Sequence, residues 1–61
     1  TVDFEEAIRI LAGEFPDATL DDLELDEDDG RVKWEADMDE GSSDFDVKID
    51  ASSGEIIEVD R

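Results

Sequence analysis

The chain contains no cysteine, histidine or tyrosine, and it has few bases. Without cysteine it forms no disulfide, and without cysteine or histidine it lacks the usual ligands of a zinc site. The same absences exclude thiol catalysis, histidine general bases and the Ser-His-Asp triad. Only five of the 61 residues are Lys or Arg, so we expect no nucleic-acid partner. No hydrophobic run has the length of a membrane span, and we expect no membrane insertion.

Acidic residues dominate what is present, because 22 Asp and Glu give a net charge of -17. High charge with modest hydrophobicity is also typical of disordered chains. Here, however, the apolar residues form one run with helical spacing and several alternating runs, each of which ends at turn residues. This consistent pattern indicates a folded chain, and the length predicts one small domain over residues 1–61.

The first apolar run predicts a helix. Its large residues repeat at intervals of four, three and four, at Phe4, Ile8, Leu11 and Phe15. At about 100° per residue these side chains share one stripe, which predicts a helix over roughly residues 3–14. Asp3 followed by Glu6 fits an acidic capping box at its start. Ile10 lies well off the stripe, and we expect it to be exposed.

After the helix the hydrophobic period changes to two. Four segments alternate apolar and charged residues and predict strands over about residues 20–28, 31–39, 44–51 and 55–60. Because each strand has one apolar and one charged face, the sheet is expected to be antiparallel and covered on one side only. The predicted fold is therefore α+β, with one N-terminal helix packed on one face of a four-stranded antiparallel β-meander.

The turns between the strands predict their register. They are Asp29-Gly30, Gly41-Ser42 and Ser52-Ser53-Gly54. These suit a type I′ loop, a type II′ loop and a three-residue loop with a left-handed final Gly. On the apolar face, the resulting register pairs Leu25 with Trp34, Met38 with Phe45, Trp34 with Ile49, and Ile49 with Ile57. On the charged face it places Lys33 and Lys48 beside acids, which is the arrangement that favours cross-strand pairing.

Three segments together cover most of the chain: FEEAIRILAGEFPDA, DEDDGRVKWEADM and FDVKIDASSGEIIEVD. They resemble the PepSY domain, a family named for peptidase propeptides and a spore-germination protein. The resemblance implies a helix on an antiparallel sheet and a secreted or cell-envelope setting. It also implies a non-catalytic regulatory module that binds a protein partner and restrains or inhibits a peptidase.

We expect no catalytic residue, no cofactor and no metal site. The acidic run before Gly30 fails as an EF-hand, because Gly30 at the sixth position would place Ala36 where the twelfth-position Glu belongs. A thin two-layer fold also leaves little room for a pocket. We predict instead a partner surface on the uncovered face of the sheet, formed by Asp44, Asp46 and Ile56, with the Ile56 side chain pointing to that charged face.

The excess of acids leaves two other functions open. One is an acidic structural or solvating domain adapted to high salt, without a specific partner; the spread of acids along the whole chain favours solvation over a focused site. The other is a low-affinity cation-binding module, for which Asp50, Ser52 and Glu55 around the last turn supply the oxygen atoms. The expected assembly is a monomer or a weak oligomer.

Overall fold

The computed structural model describes residues 1–61 and contains one helix followed by four strands. The helix α1 spans Phe4–Glu14, and the strands are β1 (Thr19–Asp28), β2 (Arg31–Glu40), β3 (Ser43–Asp50) and β4 (Ile56–Asp60). The sheet order is β1-β2-β3-β4 and each pair is antiparallel. The α+β meander predicted from the alternating pattern is thereby confirmed. The helix is too short and too polar to cross a membrane.

The Asp3 half of the predicted capping box forms at the N-terminus of α1. Asp3 has extended backbone geometry, and its Oδ1 accepts a hydrogen bond from the backbone N–H of Glu6 at 2.9 Å. This bond satisfies one of the free N–H groups of the first turn. The residue before the cap ties the N-terminus to the sheet: the N–H of Val2 donates to the carbonyl of Ala51 at 2.6 Å, and its carbonyl accepts from Trp34 Nε1 at 2.9 Å.

The helix buries a different part of its apolar stripe from the one expected. Ala7 and Leu11 are fully buried, whereas Phe4 is 50% exposed and Ile8 37% exposed. Ile10, expected in solvent, is half-buried and packs on the core, so that prediction is wrong. The physical reason is the turn between β3 and β4, which lies against this flank of the helix: a Cβ at Gly54 would lie 3.4 Å from Ile10 Cδ1.

The core lies between α1 and the inner face of β2 and β3. Besides Ala7 and Leu11 it contains Trp34, Ala36, Met38, Phe45, Val47, Ile49 and Ala51. Trp34 is 9% exposed, which confirms its predicted place on the apolar face. The Trp34 ring meets the Phe4 ring edge-on, with 5.9 Å between the ring centroids. The rings of Phe15 and Phe45 pack with 5.1 Å between their centroids. Aromatic pairs at these separations add stability beyond their buried area.

The predicted register holds across the first two hairpins. Leu25 lies opposite Trp34, Met38 opposite Phe45, and Trp34 opposite Ile49. Asp29 and Gly30 both have positive φ, at 52° and 76°, as a type I′ turn requires. One irregularity was not predicted: a bulge between Leu20 and Asp22 adds Asp21 to β1. It allows Leu20 and Leu23, three residues apart, to pack on the same core.

The last hairpin differs from the prediction by one residue. The loop has four residues between Asp50 and Glu55, with Gly54 left-handed at φ 83° as expected. Ile49 consequently pairs with Ile56, not with Ile57 as predicted. In β4, Ile57 forms a bulge opposite the Ile49 and Lys48 positions and absorbs the shift of one residue, so that Lys48 still lies opposite Glu58.

Candidate partner-binding surface

The face of the sheet that points away from α1 has no second layer over it. We call it the outer face, and its members are the charged residues that alternate with the core residues along the strands. Its bases are Arg31, Lys33 and Lys48, which lie between the middle of the sheet and the end that carries the Asp29-Gly30 turn. Its remaining members are Asp22, Glu24, Asp26, Asp28, Glu35, Asp37, Asp39, Asp44, Asp46, Asp50, Glu58 and Asp60.

One row of the outer face consists of four aspartates, one from each strand. Asp22 lies opposite Asp37, Asp37 opposite Asp46, and Asp46 opposite Asp60. We call this row the aspartate rung. Like charges directly opposite each other destabilise a sheet, and no base lies within the row. The charge is therefore less evenly spread than the sequence suggests, because the basic residues compensate only the other end of the face.

The predicted residues Asp44 and Asp46 are both exposed on the outer face of β3. Asp46 belongs to the aspartate rung, and Asp44 lies opposite Asp39 in the adjoining row. The register that the turns imply is enough to reveal these rows, since counting from the Gly41-Ser42 turn pairs the acids as surely as it pairs Met38 with Phe45.

Ile56 does not lie on the outer face. It is half-buried and packs on the core, so its predicted orientation is wrong. Ile57 points outwards instead, is 43% exposed, and lies in a shallow groove with Arg31 and Lys33. The reason is the β4 bulge, which reverses the alternation expected at the start of the strand.

Three carboxyl groups of β2 on the outer face, Glu35, Asp37 and Asp39, have raised pKa values. For Asp37, partial desolvation has the largest effect on the pKa and the neighbouring carboxylates, Asp46 first, add to it. For Asp39, desolvation again leads and Asp44 follows. The pKa of Glu35 is raised chiefly by a hydrogen bond with Asp26, while Lys48 and Lys33 lower it. These shifts mean that the folded state holds protons at this face more tightly than separate carboxylates would.

At the base-containing end of the outer face, two half-buried lysines form ion pairs with exposed acids. Lys33 Nζ lies 4.0 Å from Asp28 Oδ2, and Lys48 Nζ lies 3.8 Å from Glu58 Oε1. The Lys33 bridge runs diagonally to Asp28 and does not reach Asp26, its direct partner in the register. Surface ion pairs at such distances contribute about 0–1 kcal/mol each, so they offset little of the repulsion elsewhere.

Of the three residues suggested for a weak cation site, Asp50 uses its carboxylate to cap the last turn. Asp50 Oδ1 accepts hydrogen bonds from the backbone N–H groups of Ser52 at 2.7 Å and Ser53 at 3.2 Å, which lower the pKa of Asp50. Ser53 Oγ in turn accepts from the N–H of Glu55 at 3.2 Å. The Asp50 carboxylate thus caps the backbone of the turn between β3 and β4.

Three carboxylates from three strands form a cluster at the other end of the sheet. Asp21, Asp39 and Asp44 each have an oxygen within 4.8 Å of the others, where the β1 bulge meets the end of β2 and the start of β3. A divalent cation such as Ca²⁺ takes six to eight oxygens. With one oxygen from each residue, these carboxylates would supply at most half of them, and two of the three are exposed.

Comparison with known proteins gives one family. The model of the family described as "Peptidase propeptide and YPEB domain" matches residues 1–60. No curated protein and no solved structure matches the chain. The match spans α1 and all four strands, so it includes the whole outer face.

Proposed function

Because the chain belongs to the PepSY family, we propose that it is a non-catalytic regulatory module that binds a protein partner and restrains a peptidase. The family description, which names peptidase propeptides, supports this role. A secreted or cell-envelope location is part of the same proposal, because the family resemblance implies both. The module works as a monomer or a weak oligomer, since its charge opposes close approach of two copies.

The aspartate rung is the observation that supports a contact site on the outer face. A row of like charges costs stability, and a protein gains nothing from it in folding alone. A partner with a basic surface would relieve that repulsion on docking. On β3, Asp46 lies between Asp37 of β2 and Asp60 of β4, and Asp44 lies opposite Asp39 of β2. We assign Asp44 and Asp46 to first contact.

Charge reversal tests the contact site. The double variant Asp44→Lys/Asp46→Lys is compared with Glu14→Lys/Asp17→Lys, which makes the same change in net charge at the exposed end of the helix and the following turn. Binding to a panel of secreted peptidases is measured by surface plasmon resonance, together with inhibition of peptide cleavage. We expect the outer-face variant to associate roughly tenfold more slowly at low salt, because long-range attraction sets the association rate.

Three outcomes would contradict this proposal. Equal slowing by both double variants would show a response to net charge alone. A footprint on α1 would place the contact on the other side of the molecule. Peptidases that neither bind the domain nor lose activity with it would remove the regulatory role.

The presence of exposed acids on α1 and in the turns, as well as on the outer face, favours solvation as a second candidate. In that case the acids keep the domain hydrated and soluble at high salt, and no partner is needed. The two candidates differ in a binding experiment at physiological salt, because a solvating domain has no saturable partner. The two candidates also predict different results for the two charge-reversal variants, since solvation depends on the number of acids and not on the row that they occupy.

A further inference from the structure

The outward edge of β1 is the longest unpaired edge of the sheet. β1 pairs only with β2, so a row of its backbone N–H and C=O groups lacks a neighbour. Beyond the bulge at Asp21, the ladder is regular over residues 22–28. The other edge, β4, has five residues and carries a bulge near its start. β1 is therefore the edge on which another strand could pair without interruption.

The apolar side of this edge is incompletely covered. Leu25 is 57% exposed although its neighbour across the ladder is the buried Trp34. On the helix, Phe4 and Ile8 are 50% and 37% exposed, and Phe4 packs edge-on against that same Trp34. The opposite flank of α1, at Ile10, packs by the turn between β3 and β4. Ile8 therefore lies on the flank of the helix away from that turn, and Phe4, Ile8 and Leu25 all leave apolar surface open to solvent.

The other side of the same edge is acidic. Asp22, Glu24, Asp26 and Asp28 alternate with the leucines and lie on the outer face. Only the last two have bases opposite them in β2, Lys33 and Arg31 respectively. A strand added here would place every second side chain beside Leu23 and Leu25, and the others beside these carboxylates.

We infer that the β1 edge receives an extended segment of a partner in which apolar and basic residues alternate, as a fifth strand of the sheet. Main-chain hydrogen bonds give such pairing its affinity, and the alternating side chains give it specificity. A second copy of this chain does not fit, because β1 against β1 would bring acidic strands together and each copy carries a charge of -17. The inference goes beyond the proposed function, since the partner need not be a peptidase.

Titration of ¹⁵N-labelled protein with two synthetic peptides tests the inference. One is a seven-residue peptide of alternating Lys and Val, and the other has the same composition with the Val residues in one block. We expect the alternating peptide to bind at least about tenfold more tightly, a difference of about 1.4 kcal/mol. It should shift the amide signals of residues 22–28 and slow hydrogen exchange of β1 amides that are unprotected in the free protein.

A pair of matched variants locates the site. Leu25→Glu should weaken the alternating peptide about tenfold or more, whereas Ile57→Glu makes the same change at an exposed residue of the opposite edge strand and should leave its affinity within about twofold. Circular dichroism melting of both variants checks that they fold. Equal affinity for the two peptides would overturn the inference, as would equal losses from the two variants, shifts centred on β4, or binding without any new exchange protection in β1.

Discussion

Replacement of Trp34 should be among the most destabilising single substitutions in this domain. Its side chain packs in the core at 9% exposure, meets the Phe4 ring at 5.9 Å, and donates from Nε1 to the carbonyl of Val2 at 2.9 Å. One residue of β2 therefore holds the helix and the N-terminal segment on the sheet. Trp34→Ala should cost about 3–5 kcal/mol through the lost contacts and the cavity.

That loss is comparable with the stability of the whole domain. At about 0.05–0.15 kcal/mol per residue, 61 residues give roughly 3–9 kcal/mol. We expect Trp34→Ala to be largely unfolded in dilute buffer. Trp34→Phe keeps an aromatic ring but removes the N–H, which leaves the Val2 carbonyl without its donor and should cost about 1–3 kcal/mol.

Phe4→Ala is the matched control, because Phe4 belongs to the same aromatic pair but is half exposed. It should cost about 1–2 kcal/mol, from partial burial and the lost edge-on contact. Urea unfolding followed by far-UV circular dichroism measures all three variants, since Trp34 is the only tryptophan and its fluorescence is lost with it. An unchanged urea midpoint for Trp34→Ala, or a greater loss for Phe4→Ala, would refute the reasoning.

Four further predictions concern salt, pH, the last turn and the β4 bulge. The melting temperature should rise as KCl increases from about 0.01 to 1 M, because the Debye length falls from about 30 to about 3 Å; a flat or falling curve would contradict the repulsion across the aspartate rung. At low salt, stability should also rise as the pH falls from 7 to about 5. The reason is the raised pKa of Asp37, because stability is lost as the pH rises through that pKa. The pKa of Asp50 is lowered, so the stability that Asp50 contributes is lost only at still lower pH. Asp37→Asn should flatten this rise, and a variant with the wild-type pH profile would speak against the assignment. Gly54→Ala should lower the free energy of unfolding in urea by about 1–2 kcal/mol, because the φ of Gly54 is +83°. Gly13→Ala, in open space on the helix, should raise it by roughly 0.5–1 kcal/mol. Similar effects at both sites would argue against strain in the turn. Ile56→Ser should lower the urea midpoint clearly more than Ile57→Ser, and the reverse order would restore the orientation expected from simple alternation.

Local signals in the sequence determined the order of the elements and most of the strand register. The Asp3 cap lies within three residues of the N–H that it binds, and the Asp29-Gly30 turn sets the pairing of the strands on either side of it. A two-residue turn leaves little freedom in the register of its hairpin, so Leu25 opposite Trp34 could be counted from the turn alone. The family resemblance likewise depended on the sequence, and the match over residues 1–60 confirms it.

The rows of the outer face can be predicted from the sequence only when two strands are considered together. The aspartate rung follows from the same register, but alternation along one strand shows only that a face is charged. Asp37 and Asp46 become neighbours only when two strands are placed side by side. The concentration of uncompensated charge at one end of the sheet was therefore missed, although the information was present in the turns.

Tertiary packing alone decided which way the helix faces and where the strands bulge. An amphipathic stripe is wider than the surface it buries, and the β3–β4 turn covers the flank at Ile10 while Phe4 and Ile8 remain half open. The bulges arise because one extra residue in a loop or strand is absorbed wherever burial of apolar side chains outweighs a regular ladder, which turned Ile56 inwards and Ile57 outwards. Such choices depend on contacts between segments far apart in the chain, and a periodic pattern within one segment does not record them.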